Sequence, residues 1–262
     1  MYTQVLSSLF AFFLILSTAT PQAQAEYDHS HADLDKVLKE HVTVKDDGNT
    51  FAYAKLKRKP VDFIRYLKNA SRLSEKSFNA FTREQQIAFL INVYNAFTIQ
   101  LVMDNYPTPS IKKIKGLSPS PWKVNFIRLL GKTMNLDNIE TDWLRKKYND
   151  PRIHFAVNSS TISSPRLRNE AYVADRLNEQ LDDQARLFLR NPAQNKINPI
   201  DKKLELSKIF TWYKDDFTKD QMTVQKFVSK YITDEKTVQA SLEKEEFAVD
   251  YLDYSWDLNS TK

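Results

Sequence analysis

Glycine occurs only three times in this chain of 262 residues, at 48, 116 and 131. Tight turns and bulges draw on glycine for left-handed backbone, so a turn-dense all-β fold is disfavoured. Helical signals, by contrast, run the length of the chain. Leu34, Val37 and Leu38 share one face of a helix over about 33–41, and Phe63, Ile64 and Leu67 one face of another over 60–70. Thr82 with Gln85 is a capping-box signal for the longest helix, 83–105, which Pro107 and Pro109 end. A proline-rich loop over 107–121 leads to a hairpin over 124–134 turning at Gly131, and the spacing of Asp137 and Glu140 starts the next helix. Later helices are expected over 174–190, 207–216 and 224–232, with a short strand at 204–206. The fold class that follows is mainly helical α+β: a single domain with a small β-sheet packed by helices.

Residues 1–25 carry no charged side chain, and an apolar run from Val5 to Ala19 is followed by Pro21 and the small-x-small pattern Ala23-Gln24-Ala25. This predicts a cleaved export signal over 1–25 and a globular domain over 26–262, periplasmic or secreted. An uncleaved anchor needs about 20 apolar residues, more than this run supplies. No later stretch reads as a membrane span, so none is expected to remain after cleavage. There is no cysteine, which rules out disulfides, a thiolate nucleophile and thiolate metal sites. The net charge of +5 is spread through basic clusters at 55–59, 112–115 and 145–147 interleaved with acidic residues. That pattern reads as solvated surface, not as the concentrated basic face that binds nucleic acid. Asp28-His29-Ser30-His31 holds metal-capable side chains, but two histidines in a terminal segment with no third ligand nearby make a poor site. No metal or cofactor is expected.

The segment 152–167 is the most informative for function. Ile153, Phe155 and Val157 alternate with His154, Ala156 and Asn158, a strand pattern that sets His154 and Asn158 on one face. Five hydroxyl residues follow within the six positions 159–164, closed by Pro165. A histidine followed by a polar loop is a common way to build a site.

Several stretches, in this order, resemble the bacterial, exported branch of the domain of unknown function 547 family. They are Ala88-Phe89-Leu90-Ile91-Asn92-Val93-Tyr94-Asn95-Ala96, then Asn135-Leu136-Asp137-Asn138-Ile139-Glu140 with Leu144-Arg145, then 152–167, Glu170-Ala171-Tyr172, Ile209-Phe210-Thr211-Trp212-Tyr213 and Tyr254-Ser255-Trp256-Asp257-Leu258-Asn259. The resemblance implies a family and not an activity. Where the family typically has two cysteines this chain has Ser159 and Ser164, and Leu90 stands where tryptophan is usual. Were one of those cysteines a nucleophile, serine would be a poorer one. Were the pair a staple across the loop, loss of both together follows, since a single leftover thiol outside the cell is a liability. A deliberate replacement of both is a third account.

From the residues themselves, His154 is the candidate general base, Ser159 a nucleophile or oxyanion-side donor, and Glu140 the group that orients the imidazole. Loop donors could hold an oxyanion. Asn92, Tyr94 and Asn95 interrupt an apolar helix and, with Asn158, are candidate substrate-binding residues on a pocket wall. Against this stand plain structural roles. His154 would be a half-buried histidine bonded to backbone, Glu140 a helix cap, and the asparagines a polar network tying the helix to nearby backbone. The aromatics of Trp212-Tyr213 and 254–256 read as core packing. The leading functional expectation is a hydrolase or acyl-transfer-like enzyme acting on a peptide, amide or ester. The alternatives are a non-catalytic module that binds a small-molecule or peptide ligand of the cell envelope, and a paralogue whose thiol chemistry has been retired.

Overall fold

A computed structural model describes residues 27–261 apart from 47, 115 and 117–119, so the expected export signal lies outside the described residues. The chain opens with α1 (Ala32–His41), the paired strands β1 (Val42–Thr43) and β2 (Thr50–Phe51), and the helices α2 (Tyr53–Arg58), α3 (Val61–Arg72) and α4 (Glu75–Asn79). Then come α5 (Arg83–Asp104), the hairpin of β3 (Ile127–Leu129) and β4 (Lys132–Met134), a π-helical segment Asn138–Arg145, α6 (Lys146–Tyr148) and α7 (Ile153–Ala156). The last part holds α8 (Leu177–Leu189), β5 (Lys196–Asn198), β6 (Lys203–Leu206), α9 (Ile209–Trp212), α10 (Lys214–Phe217), α11 (Val224–Ser229), α12 (Lys236–Glu243) and β7 (Ala248–Tyr251). β6 is the centre of a three-stranded sheet, antiparallel to β5 and parallel to β7. The architecture is mainly helical α+β, as expected from the sequence.

α5 carries the larger core. Its start is the expected capping box, in which the Gln85 amide donates to Thr82 Oγ1 (3.2 Å) and the Thr82 amide to Gln85 Oε1 (2.9 Å). The helix is apolar on every side and is therefore stable only when enclosed. By length and composition it could cross a membrane, which corrects the expectation that no stretch beyond the N-terminus could; 89% of its most apolar window is buried inside the domain. The hairpin turns where expected, through Leu130 and Gly131, both left-handed (φ 53° and 75°), the backbone a two-residue hairpin loop requires. The short helices α2, α4 and α12 and the strand β7 carry periodicity too brief to be read in advance.

Two further expectations are corrected. The segment 153–158 is not a strand: α7 makes one helical turn and the chain then runs extended from Val157. Asp150 starts the turn, its carboxylate accepting from the Arg152 amide (3.1 Å) and its carbonyl from the Ile153 amide (3.1 Å). The alternation of apolar residues serves two cores. Ile153, Ala156 and Val157 join the cluster around α5, while Phe155 packs with Phe188, Phe210 and Phe217 in a second cluster built on α8 to α12 and the sheet. The expected single helix over 207–216 is also two, α9 and α10, broken at Tyr213.

Buried irregular backbone needs hydrogen-bond partners, and here side-chain amides supply them. Asn92 accepts from the Tyr172 amide (3.0 Å) and donates to its carbonyl (2.8 Å). Asn95 donates to the Ala156 carbonyl (3.0 Å) and accepts from the Asn158 amide (2.8 Å). Gln180 does the same for Ala171 and Val173, and Gln225 for Phe247. Each amide acts as a short stretch of ladder where no strand is present.

At the N-terminal edge, Asp28 accepts from the Ser30 and Ala32 amides (3.0 and 3.1 Å), and His31 is buried with Nδ1 3.2 Å from the Tyr66 hydroxyl. Burial pushes the His31 pKa down to about 4, against a smaller opposing pull from Asp28. The unfolded ring titrates near 6.5, so the unfolded chain binds more protons between these values. Stability is full above about pH 6.5 and falls by about 3 kcal/mol as pH drops to about 4. Urea midpoints compared at pH 7 and pH 4.5 should show this loss, and His31→Phe should flatten it. An unchanged slope in that variant would assign the acid lability to other groups.

Candidate active site

A cleft of about 310 Å³ opens where the two cores meet, with Val157 of one and Ile209 of the other in its wall. The break between α9 and α10 turns Tyr213 into the cleft, where its ring stacks on His154 at 4.0 Å and 24°. His154 is almost fully buried, and its Nε2 lies 2.8 Å from Asp216 Oδ2 on α10. Asp216 Oδ2 also accepts from Arg145 Nε at 2.6 Å. Burial would raise the Asp216 pKa, but the hydrogen bonds from His154 and Arg145 outweigh it and hold the carboxyl well below the usual carboxylate range. An ionised Asp216 accepts the Nε2 proton, so in the neutral form of the ring the lone pair lies on Nδ1. That atom is buried and has no hydrogen-bond partner among the described residues.

Glu140 sits in the π-helical segment and is 7% exposed. That segment begins with a reciprocal pair in which the Asn138 amide donates to Asn135 Oδ1 (2.8 Å) and the Asn135 amide to Asn138 Oδ1 (3.1 Å). Asp137 and Glu140 therefore do not form the expected cap. The Glu140 carboxylate interacts with the Tyr94 and Tyr213 hydroxyls. Burial first, and then the charge of Glu140, raise the pKa of both tyrosines. Trp122 Nε1 donates to the Tyr94 hydroxyl at 3.3 Å, extending the chain of polar groups to the cleft rim.

The expected catalytic residues His154, Ser159 and Glu140 all line this cleft. Their roles differ from the expectation. The carboxylate on His154 is Asp216, and Glu140 belongs to the two tyrosines. His154 and Ser159 share no hydrogen bond, since the only bonded ring nitrogen faces Asp216. Of the expected binding residues, Tyr94 reaches the floor of the cleft through Glu140. Asn92, Asn95 and Asn158 are spent on backbone; Asn158 donates to the Pro165 carbonyl (2.6 Å) and accepts from the Ser160 amide (2.7 Å). They shape the wall and do not line it.

The hydroxyl loop is likewise committed, to the C-terminal segment. Thr161 Oγ1 and Ser164 Oγ lie 2.9 and 3.2 Å from the Tyr254 hydroxyl, Ser163 Oγ accepts from the Ser255 amide (2.9 Å), and the Ile162 amide donates to the Asp257 carbonyl (2.8 Å). Ser164 Oγ accepts from the Ser159 amide at 3.1 Å, so the two serines at the positions where the sequence resemblance expects cysteine adjoin. The zipper brings Tyr254 and Trp256 to the cleft beside Trp212. Trp212 and Trp256 stack at 5.5 Å, and Trp212 is 45% exposed. These aromatics wall the cleft and are not core, a correction of the sequence reading. Asp216 and the aromatic wall escaped that reading, and Arg145 entered it only within the Leu144-Arg145 motif and a basic cluster. The Trp212-Tyr213 and 254–256 motifs were the signal available for the wall, and nothing near Asp216 in the chain points to His154.

Residues 78–189 match the profile of the family described as a protein of unknown function, DUF547. The matched span contains the 88–96, 135–145 and 152–167 motifs. Searches of curated proteins and of solved structures found no match.

Proposed function

Starting from a chain whose residues 78–189 carry the DUF547 profile, we propose an exported enzyme of the hydrolase or acyl-transfer type, with the cleft as its active site and His154 as its general base. The observation that carries this reading is the Asp216–His154 pair beside an unpartnered, buried Nδ1 in a cleft wall. It reproduces the logic of a carboxylate–imidazole dyad with the two ring nitrogens exchanged. In the proposed step, Nδ1 takes the proton of a hydroxyl, from Ser159 or a water, as its oxygen bonds to the carbonyl carbon of an ester or amide. The proton then passes to the leaving oxygen or nitrogen as the old bond breaks. Export places the substrate in the cell envelope.

The test is turnover of a panel of p-nitrophenyl esters and peptide amides by residues 26–262. His154→Ala should lower kcat/KM by about 10²–10⁴, with a folded circular-dichroism spectrum. A variant that kept full activity would sink the proposed base.

A second reading is favoured by the absence of a formed Ser–His pair among the described residues: the Thr161, Ser163 and Ser164 hydroxyls are engaged by Tyr254 and Ser255, and His154 Nδ1 has no partner. Under it the cleft binds an envelope ligand without turnover, and binding survives Ser159→Ala. If instead the cleft is a retired thiol site, Ser159→Cys should create activity that the native chain lacks.

A further inference from the structure

The cleft wall holds a carboxylate with no ion-pair partner among the described residues. Glu140 is nearly buried, and among the described residues no lysine, arginine or histidine stands within ion-pair distance of it. Arg145, the cation that influences it from nearby, is committed to Asp216 at 2.6 Å. Asp137, the second carboxylate in the cleft wall, accepts from the Thr141 hydroxyl (3.3 Å) and has no ion pair among the described residues. A buried carboxylate beside two phenols and without an ion-pair partner among the described residues can accept a cation of the ligand. The second observation is independent of charge. His154, in the same wall, has a buried Nδ1 with no partner among the described residues, an acceptor in the neutral ring. A carboxylate and that nitrogen beside one cavity suit a ligand group that donates.

The aromatic wall meets the same chemistry. Ring faces attract cations through their quadrupole, and the rim already holds one: Lys112 Nζ sits 3.3 Å from the Trp256 ring centroid. With two carboxylates against the single ammonium of Lys112, the lining keeps a net negative charge.

We infer that the cleft recognises the protonated primary amine of its ligand, the ammonium seated on Glu140 with its alkyl stem against Trp212 and Tyr254. This deepens the proposed function by naming the substrate class: an amine-bearing amino acid or peptide group. It rests on the same cleft but not on turnover, so the two fail separately.

The experiment is a fluorescence titration of residues 26–262. Three of the four tryptophans, Trp122, Trp212 and Trp256, line the cleft. The probes are Nα-acetyl-lysine amide and its neutral counterpart Nα-acetyl-norleucine amide. The lysine probe should give a saturable change and the norleucine probe should bind at least tenfold more weakly. Glu140→Gln, which keeps the shape and an acceptor for the tyrosines, should weaken the lysine probe at least tenfold with an unchanged melting temperature. Trp212→Ala, at an exposed position, should weaken it severalfold and guards against misfolding of the first variant. Equal binding of the two probes, no saturable response to lysine, or full binding by Glu140→Gln would each overturn the inference. Loss of turnover in His154→Ala with lysine binding retained would leave it standing; lysine binding lost with turnover intact would leave the enzyme reading standing alone.

Discussion

Asn95→Leu should unfold at a markedly lower urea concentration than the native chain, with an unchanged m-value. The substitution fills nearly the same space but removes both hydrogen bonds that Asn95 makes with the segment leaving α7. The Ala156 carbonyl and the Asn158 amide would then be buried without partners. Each such group costs about 1–3 kcal/mol, so the loss is about 2–6 kcal/mol. Asn105, whose side chain bonds only to its own helix at Leu101, serves as the control, and its alanine variant should cost less than about 1 kcal/mol. Asn95 ties α5 to the chain between His154 and Ser159, so Asn95→Leu should also reduce any activity of the cleft. A variant as stable as the native chain would mean that the 156–158 backbone finds other partners.

Asp216→Asn should damage both stability and chemistry. An amide cannot balance the Arg145 guanidinium, and through its NH₂ it can donate to the nitrogen that now donates to Asp216. Breaking a buried ion pair costs about 3–5 kcal/mol. Arg145 keeps partial contact with solvent, so about 2–3 kcal/mol is expected here. If the dyad is catalytic, inverting the tautomer should lower kcat by about 10³–10⁴. The pH dependence has a definite sign. The pKa of Asp216 is depressed in the fold, so its contribution is complete above the usual carboxylate pKa of about 4 and is lost as pH falls through its own lower value. The stability gap between native and Asp216→Asn protein should therefore be constant from pH 5 to 7 and narrow only in stronger acid. A gap that closed near pH 6 would assign the effect to a histidine instead.

Parts of this molecule were legible in local residue patterns because local physics decides them. The capping box at Thr82 and Gln85, the end of α5 before Pro107, the left-handed turn at Gly131 and the buried face of α1 each depend on residues within a few positions of one another; on α3 Phe63 and Leu67 are buried as expected, but Ile64, expected beside them, is exposed. The candidacy of His154 was legible as well, because it is a lone histidine before a run of hydroxyls. Its conformation was not. Alternation in 153–158 reads as a strand when one face is buried; here both sides are buried, against different cores, and one helical turn satisfies the same pattern.

The partners in the site follow the same division. Residue type at 140, 154 and 159 marked the cleft, because burying a carboxylate, an imidazole or a hydroxyl is costly without a reason. Which carboxylate meets the imidazole was beyond reach, since Asp216 lies 62 residues along the chain from His154. The aromatic wall likewise joins residues from the 3₁₀ turn at Trp122, the α9–α10 break and the C-terminal segment. Helical character, turn positions and the residue types that need compensation when buried follow from local patterns. The pairing does not, because long-range partners are chosen by how the two cores close on each other, and local propensity carries no information about that closure.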